Sequence, residues 1–354
     1  MKKHIILTRV LCILLSLVLV TALLWAAGRV LEPKYVTVSP EGSLTAEYYA
    51  DAAGISHDVV FIGDCEVYEA FVPAVLWTDY GISSCVRGSA QQLVWQSYAM
   101  LTDTLRYETP KVVVFNVLSL KYGEPQNEAF NRMTLDGMEW SSAKADAIRA
   151  SMTGEETFVS YLLPALRFHS RLTELSAEDF RYAFAAKPTV SDGGYLMQTD
   201  IVPADPSVDH EALKPLLTDP ALPASAMEWL DRMVALCKEN DITLILVKSP
   251  TNTWRYWWYD EWDAEVSDYA AAHGLAYYNL IPDAGAIGLD MSTDTYDGGI
   301  HLNVYGAEKL TRYFGRILAD TCGLPDRRDD AAYTSVWGER VSTYEQRKSE
   351  RTSP

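Results

Sequence analysis

The stretch Asp58-Val59-Val60-Phe61-Ile62-Gly63-Asp64-Cys65-Glu66 decides the fold class. Its apolar run is short, rich in β-branched residues and closed by a glycine, which reads as a strand buried on both faces. Helical spacing follows from Val67 to Tyr80 and ends at Gly81. Ile82 to Val86 reads as a second strand, Gln91 to Tyr107 as a helix stopped by Pro110, and Lys111-Val112-Val113-Val114-Phe115 as a third strand. Further on, helical patterns over Ala224–Asn240, Trp257–His273 and Val304–Cys322 alternate with strands at Ile242–Val247 and Leu275–Asn279. Strands alternating with helices predict an α/β fold: a parallel central sheet with helices on both faces. The alternation breaks over about 118–223, where Ser141–Met152, Thr157–Leu175 and Ala177–Ala185 are helical in pattern. That stretch is expected to be an insertion or cap after the third strand.

The chain has 354 residues with 48% hydrophobic content, enough for one large domain of 56–323. A net charge of −18 argues against a nucleic-acid partner, because phosphate contacts need clustered Lys and Arg. Lys2, Lys3, His4 and Arg9 precede an apolar run from Val10 to Gly28. Its length suits a membrane span, and its basic flank predicts a cytoplasmic N-terminus with the remainder exported. Residues 1–28 are thus expected to be an uncleaved anchor, with a signal peptide cleaved near Trp25-Ala26-Ala27-Gly28 as the rival. Residues 29–55, punctuated by Pro33, Pro40, Gly42 and Gly54, read as a tether, and 324–354 as a polar tail or loosely docked helix. Five cysteines without a CxxC pair make zinc and thioredoxin-type chemistry unexpected. Cys237 and Cys322 read as small buried hydrophobes, and two disulfides outside the membrane stay open as an alternative.

Open parallel sheets bind ligands at the carboxyl ends of their strands, so the residues just after each strand carry the information. Cys65 follows the first strand and opens a helix, where backbone N–H groups and the helix dipole would favour a thiolate. The alternative is an inert cysteine at a strand end. Arg87 and Gly88 follow the second strand: the guanidinium would hold a carboxylate or phosphate, and the glycine would let a ligand approach the backbone. Asn116 after the third strand would donate to an oxyanion, or else cap a turn. Lys248 after the fourth would be an electrostatic contact or a solvated lysine. In Asp294-Thr295-Tyr296-Asp297-Gly298-Gly299-Ile300-His301, a histidine with nearby acids suits a base and its orienting carboxylate, Asp297 or Asp294. A metal site from Asp294, Asp297 and His301 is the lesser alternative, and neither metal nor cofactor is expected.

These blocks resemble the SGNH/GDSL hydrolase superfamily from about Val59 to Leu318. Phe61-Ile62-Gly63-Asp64-Cys65-Glu66 is similar to the first block, with Cys65 where the family carries Ser. Gly88 suits the second block, Asn116 stands near the third, and His301-Leu302-Asn303-Val304-Tyr305-Gly306-Ala307 is similar to the last. Gly298 occupies the usual place of the family's Asp, three residues before the His, which leaves Asp297 or Asp294 to substitute. With Phe168-His169-Ser170-Arg171, the likeness is strongest to the exported, membrane-anchored Gram-positive branch that includes the D-alanyl transfer protein of teichoic-acid modification.

The resemblance implies an extracytoplasmic acyltransferase or esterase at the cell membrane. Cys65 would be its nucleophile and His301 its base, with the Cys65 and Gly88 N–H groups and the Asn116 amide at the oxyanion. Expected partners are a cell-envelope polysaccharide or teichoic-acid-like polymer and a polytopic membrane acyltransferase. Trp254, Tyr256, Trp257, Trp258, Tyr259 and Trp262 would form a sugar-stacking wall or pack a helix. A catalytically inactive, binding or scaffolding protein is the second expectation, and a redox protein using Cys65 with Cys85 the third.

Overall fold

A computed structural model describes residues 2–33, 41–154, 156–185, 189–205, 207, 218–252 and 258–353. The chain divides into two compact units: residues 1–40 with 152–189, and residues 41–151 with 190–354. The expected insertion is therefore split between the two.

The larger unit is built on five parallel strands: β1 (Val59–Gly63), β2 (Ser84–Gly88), β3 (Val112–Asn116), β4 (Thr243–Lys248) and β5 (Ala276–Asn279), in the order β2-β1-β3-β4-β5. Alternate side chains serve opposite faces. Val59, Phe61, Val112, Val114, Ile245 and Val247 join one core with Ala307, Leu310, Phe314 and Leu318 of the helix Val304–Thr321. Phe61 stacks on Phe71 with ring centroids 4.4 Å apart. The intervening residues Val60, Ile62, Val113, Phe115, Leu244 and Leu246 are also buried. Their face carries the helices Val94–Thr104, packed on β1, and Ala224–Glu239, packed on β4. Burial on both faces is why these strands read as continuous apolar runs rather than alternating ones.

Three expectations are corrected. The helix expected over Val67–Tyr80 is two helices, Cys65–Tyr68 and Pro73–Tyr80, because a proline lacks the N–H an inner turn needs and starts a helix instead. The tether contains a docked helix, Ser43–Ala52, with Leu44, Thr45 and Tyr48 buried; Pro40 lies outside the described residues. The C-terminal tail is a packed helix, Ala331–Thr352. Its Trp337 is 1% exposed and stacks on Trp77 at 5.4 Å and 9°. Its Tyr344 donates to Glu308 at 2.7 Å, and Arg327 ahead of the helix pairs with buried Asp58.

The smaller unit holds the helix Lys2–Leu31, which is long and apolar enough to cross a membrane or to serve as a signal sequence. It also holds the helices Phe158–Leu162, Pro164–Phe168 and Ala177–Ala183 and a 3-10 turn at His169–Thr173. Pro164 breaks the single helix expected over Thr157–Leu175.

Candidate active site

In the order 2-1-3-4-5 the chain crosses over between β1 and β3, and a crevice opens beyond their carboxyl ends. The sequence places Gly63-Asp64-Cys65 at one of those ends and Asn116 at the other. Gly63 has φ +156°, and a Cβ there would meet Val67 at 2.7 Å and Asn116 at 2.9 Å, so the turn into the cysteine is as tight as a glycine allows. Asp64 caps the following turn by accepting from the Glu66 N–H at 3.1 Å.

The last helix brings the second half of the site. Asn303 caps it, accepting from the N–H groups of Tyr305 and Gly306, and donates to the carbonyls of Asp200 and Thr293 at 3.1 and 2.8 Å. The loop before it passes through Gly298 and Gly299 at φ +82° and +100°, conformations that side-chain-bearing residues rarely adopt. The Gly299 carbonyl accepts from the Asn252 N–H and the Thr251 hydroxyl just after β4. His301 is thereby set over Cys65: its Nε2 lies 2.9 Å from the Cys65 Sγ, and its Nδ1 lies 2.6 Å from Asp297 Oδ2. Asp297 also accepts from the His301 N–H at 2.8 Å. Asp294 is excluded as the orienting acid, because its carboxylate is buried and bonded to Lys309 at 2.6 Å. That pairing also withdraws it from the considered metal set of Asp294, Asp297 and His301.

A thiol, an imidazole and a carboxylate in this chain can pass one proton from sulfur to nitrogen while the carboxylate holds the ring's tautomer. Burial pushes the Cys65 thiol up, with Asp64 adding to the effect and His301 opposing it. This differs from the expectation that a helix N-terminus favours the thiolate: the helix has four residues, and burial raises the thiol's pKa. For His301, burial works against the imidazolium, but the Cys65 sulfur and the Asp297 carboxylate outweigh it and raise its pKa. Each group acts on the other's titration, so the two titrate as a pair.

Three expected contacts are directed elsewhere. Arg87 is fully buried: its guanidinium donates to the Met100 carbonyl, Thr104 and Asp103 and lies 3.8 Å from the Tyr48 ring centroid. It locks a helix to β2 rather than meeting an anion. Lys248 is also fully buried, its ammonium within 2.7 and 2.8 Å of the two Glu66 oxygens and 3.1 Å of the Ser249 carbonyl. The Asn116 amide donates to Glu66 and Ser249, both at 3.2 Å, so its hydrogens are committed away from an oxyanion. Gly88 lies beside the cysteine turn, where its missing side chain makes room for protein atoms. It pairs in register with Gly63, and a Cβ there would meet the Gly63 carbonyl at 3.0 Å and Tyr68 at 3.1 Å.

Sequence reasoning missed a supporting layer. Glu66, next to the cysteine, is buried under it as the partner of Lys248 and Asn116. Glu69 accepts from Tyr296 through both oxygens at 3.0 Å and from Gln198 at 3.2 Å. Burial pushes its carboxyl up to about 7, with His301 opposing. The Tyr296 ring lies nearly parallel to that of His301, 6.0 Å between centroids. Glu66 and Glu69 stand inside the motif already singled out, but nothing local distinguishes a buried acid from a solvated one.

Of the expected sugar-stacking wall, Trp258 and Tyr259 are buried and Trp262 packs against both, so these rings serve packing. Trp254, Tyr256 and Trp257 lie outside the described residues. All five cysteines are free, and Cys322 is partly exposed rather than buried. Among the described residues, the ligand-type cluster is His57, Cys85 and Glu108, with donor atoms within 4.8 Å of one another; His57 Nδ1 is bonded to Glu108 at 2.9 Å.

The fold and site define an α/β protein with a parallel sheet in the 2-1-3-4-5 order and a Cys–His–Asp chain at its crossover. Its backbone is similar to that of a lipase/acylhydrolase from Enterococcus faecalis, at 12% identity and a TM-score of 0.38, covering 77% of this chain and 98% of that one. It is also similar to a GDSL-like lipase from Bacteroides thetaiotaomicron, at 12% identity and a TM-score of 0.36, covering 79% and 99%. No family model and no curated protein matches the sequence.

Proposed function

We propose that the protein transfers or hydrolyses acyl groups through a Cys65 thioester, outside the cytoplasm and on a cell-envelope polymer such as a polysaccharide or teichoic-acid-like chain. The observation that carries this reading is the continuous Cys65–His301–Asp297 hydrogen-bond chain, at 2.9 and 2.6 Å. The Cys65 sulfur attacks an ester carbonyl while its proton passes to His301 Nε2. Asp297 holds the resulting imidazolium. The tetrahedral oxyanion is met by the N–H groups of Cys65 and Gly88, and collapse expels the alcohol, which takes the proton from His301. Water or a polymer hydroxyl then gives its proton to His301 and attacks the thioester, releasing the thiol.

The apolar helix supports an anchored site. The uncharged run from Val10 to Gly28 is about 28 Å long at 1.5 Å per residue, against a hydrocarbon core of about 30 Å, and it is exposed throughout from Val10 to Trp25. An anchor keeps the site beside polymers attached at the membrane. A polytopic acyltransferase would be a fitting donor of the acyl group.

The test is intact-protein mass spectrometry of the full chain after exposure to p-nitrophenyl acetate. Wild type should gain one acetyl group; Cys65→Ala should gain none, and His301→Ala should acylate at least ~10²-fold more slowly. Labelling that ignores His301, or no labelling of Cys65, would remove catalysis and leave a binding or scaffolding role.

A further inference from the structure

We infer that residues 158–184 form a membrane-seated foot whose apolar side chains lie in the lipid interface around the end of the N-terminal helix. The inference rests on the anchor reading of that helix.

Two observations meet here. Val159, Leu162, Leu166, Leu172, Phe180 and Phe184 are 48–63% exposed, all within one short segment. Apolar side chains concentrated in this way mark a contact surface, whereas scattered ones need no explanation. The same segment packs directly on the apolar helix. The Gly28 Cα faces Pro164 and Ala165 closely enough that a Cβ would sit 3.6 Å from each. Trp25 lies against Phe184 at 6.4 Å between centroids. Arg29 donates to the Ala183 carbonyl at 3.2 Å, and Arg171 to the Leu31 carbonyl and to Asp179 at 2.9 Å.

The depth of these contacts selects the occupant. Exposure is continuous to Trp25, and the uncharged run from Val10 ends at Gly28, the first buried residue, after about the length of the hydrocarbon core. Residues 25–31 thus stand at the level of the headgroups, where tryptophan is enriched. Elements packed on that turn of the helix stand at the same level. Short helices with apolar side chains turned outward there are built to lie in the interface, with their apolar surface removed from water by acyl chains. A bilayer is the partner that the continuous apolar surface from the helix to the segment fits.

The experiment uses the full chain in vesicles of phosphatidylcholine and phosphatidylglycerol. p-Benzoylphenylalanine replaces Leu166 or Phe180, with Leu15 in the helix and Trp140, 47% exposed in the larger unit, as references. After irradiation, positions 166 and 180 should gain the mass of one phospholipid, as position 15 does, and position 140 should not. Lipid adducts at 15 without any at 166 and 180 would overturn the foot and leave the anchor standing. Adducts of two protein chains at 166 or 180 would assign the patch to a second copy and overturn it as well. Lipid adducts at 140 as often as at 166 would show unselective contact, with the same consequence. Absence of adducts at position 15 would overturn the anchor and the foot together.

Discussion

Lys248 and Glu66 show how far a residue's meaning depends on its surroundings. A lysine at a strand end reads as an electrostatic contact or as a solvated side chain. In the structure it is enclosed, and its charge is balanced by Glu66, the residue after Cys65. Removing one member of such a pair strands the other charge in a low-dielectric interior. Lys248→Met is therefore expected to cost about 3–5 kcal/mol in a urea titration. Glu66→Leu in the same chain should restore a large part of it, because an apolar pair needs no counter-charge. A loss in Lys248→Met below ~1 kcal/mol would mean that water reaches Glu66. Asp297 was legible only as one of two acids near His301. Choosing between them required seeing that Lys309, one turn into the last helix, takes Asp294.

At the level of elements, strand positions were readable because both faces of β1 to β4 are buried, so propensity and burial agree. Helix limits were less so, and the errors share a cause. Pro73 and Pro164 interrupt patterns whose apolar spacing continues through them. The C-terminal helix Ala331–Thr352 was readable only as a polar tail or a loosely docked helix, for another reason. Only Trp337 and Tyr344 are buried on it, so its sequence is mostly polar. Yet Trp337 fills a slot against Trp77 and donates toward Ser83 at 3.3 Å. Trp337→Ala is expected to lose about 3–5 kcal/mol. The urea midpoint should fall accordingly, whereas an unchanged midpoint would mark the helix as a loose appendage.

Across the larger unit, buried acids set the response to pH. Burial pushes Asp64 and Glu69 up to about 7 and Asp192 up to about 6. Between the ordinary carboxylate range and those values, the folded chain holds protons that the unfolded chain has released. Stability therefore falls as pH rises through that window. Glu108 and Glu308 act oppositely: burial would raise them, but His57 and Lys348 hold them low. Their contribution is full above the unfolded value and is lost as pH falls through the folded one. The net charge of −18 adds self-repulsion toward neutral and alkaline pH. Urea midpoints should peak near roughly pH 5 and decline on both sides; a steady rise to pH 8 would contradict this assignment of buried protons.

By itself the sequence determined the parallel sheet, the apolar N-terminal helix and the candidates Cys65 and His301. Each of these is written in local pattern: runs of β-branched residues, a long uncharged stretch, glycine-rich turns at strand ends. Only the tertiary structure decided which acid lies against His301, that Lys248 and Asn116 pair with Glu66, and that Arg87 locks a helix to β2. It also decided that burial raises the Cys65 thiol and that His301 opposes that rise. The physical reason is that a polar group's role follows from its desolvation and its partners. Those partners come from elements as far apart in the chain as Glu66 and Lys248, and folding alone brings them together.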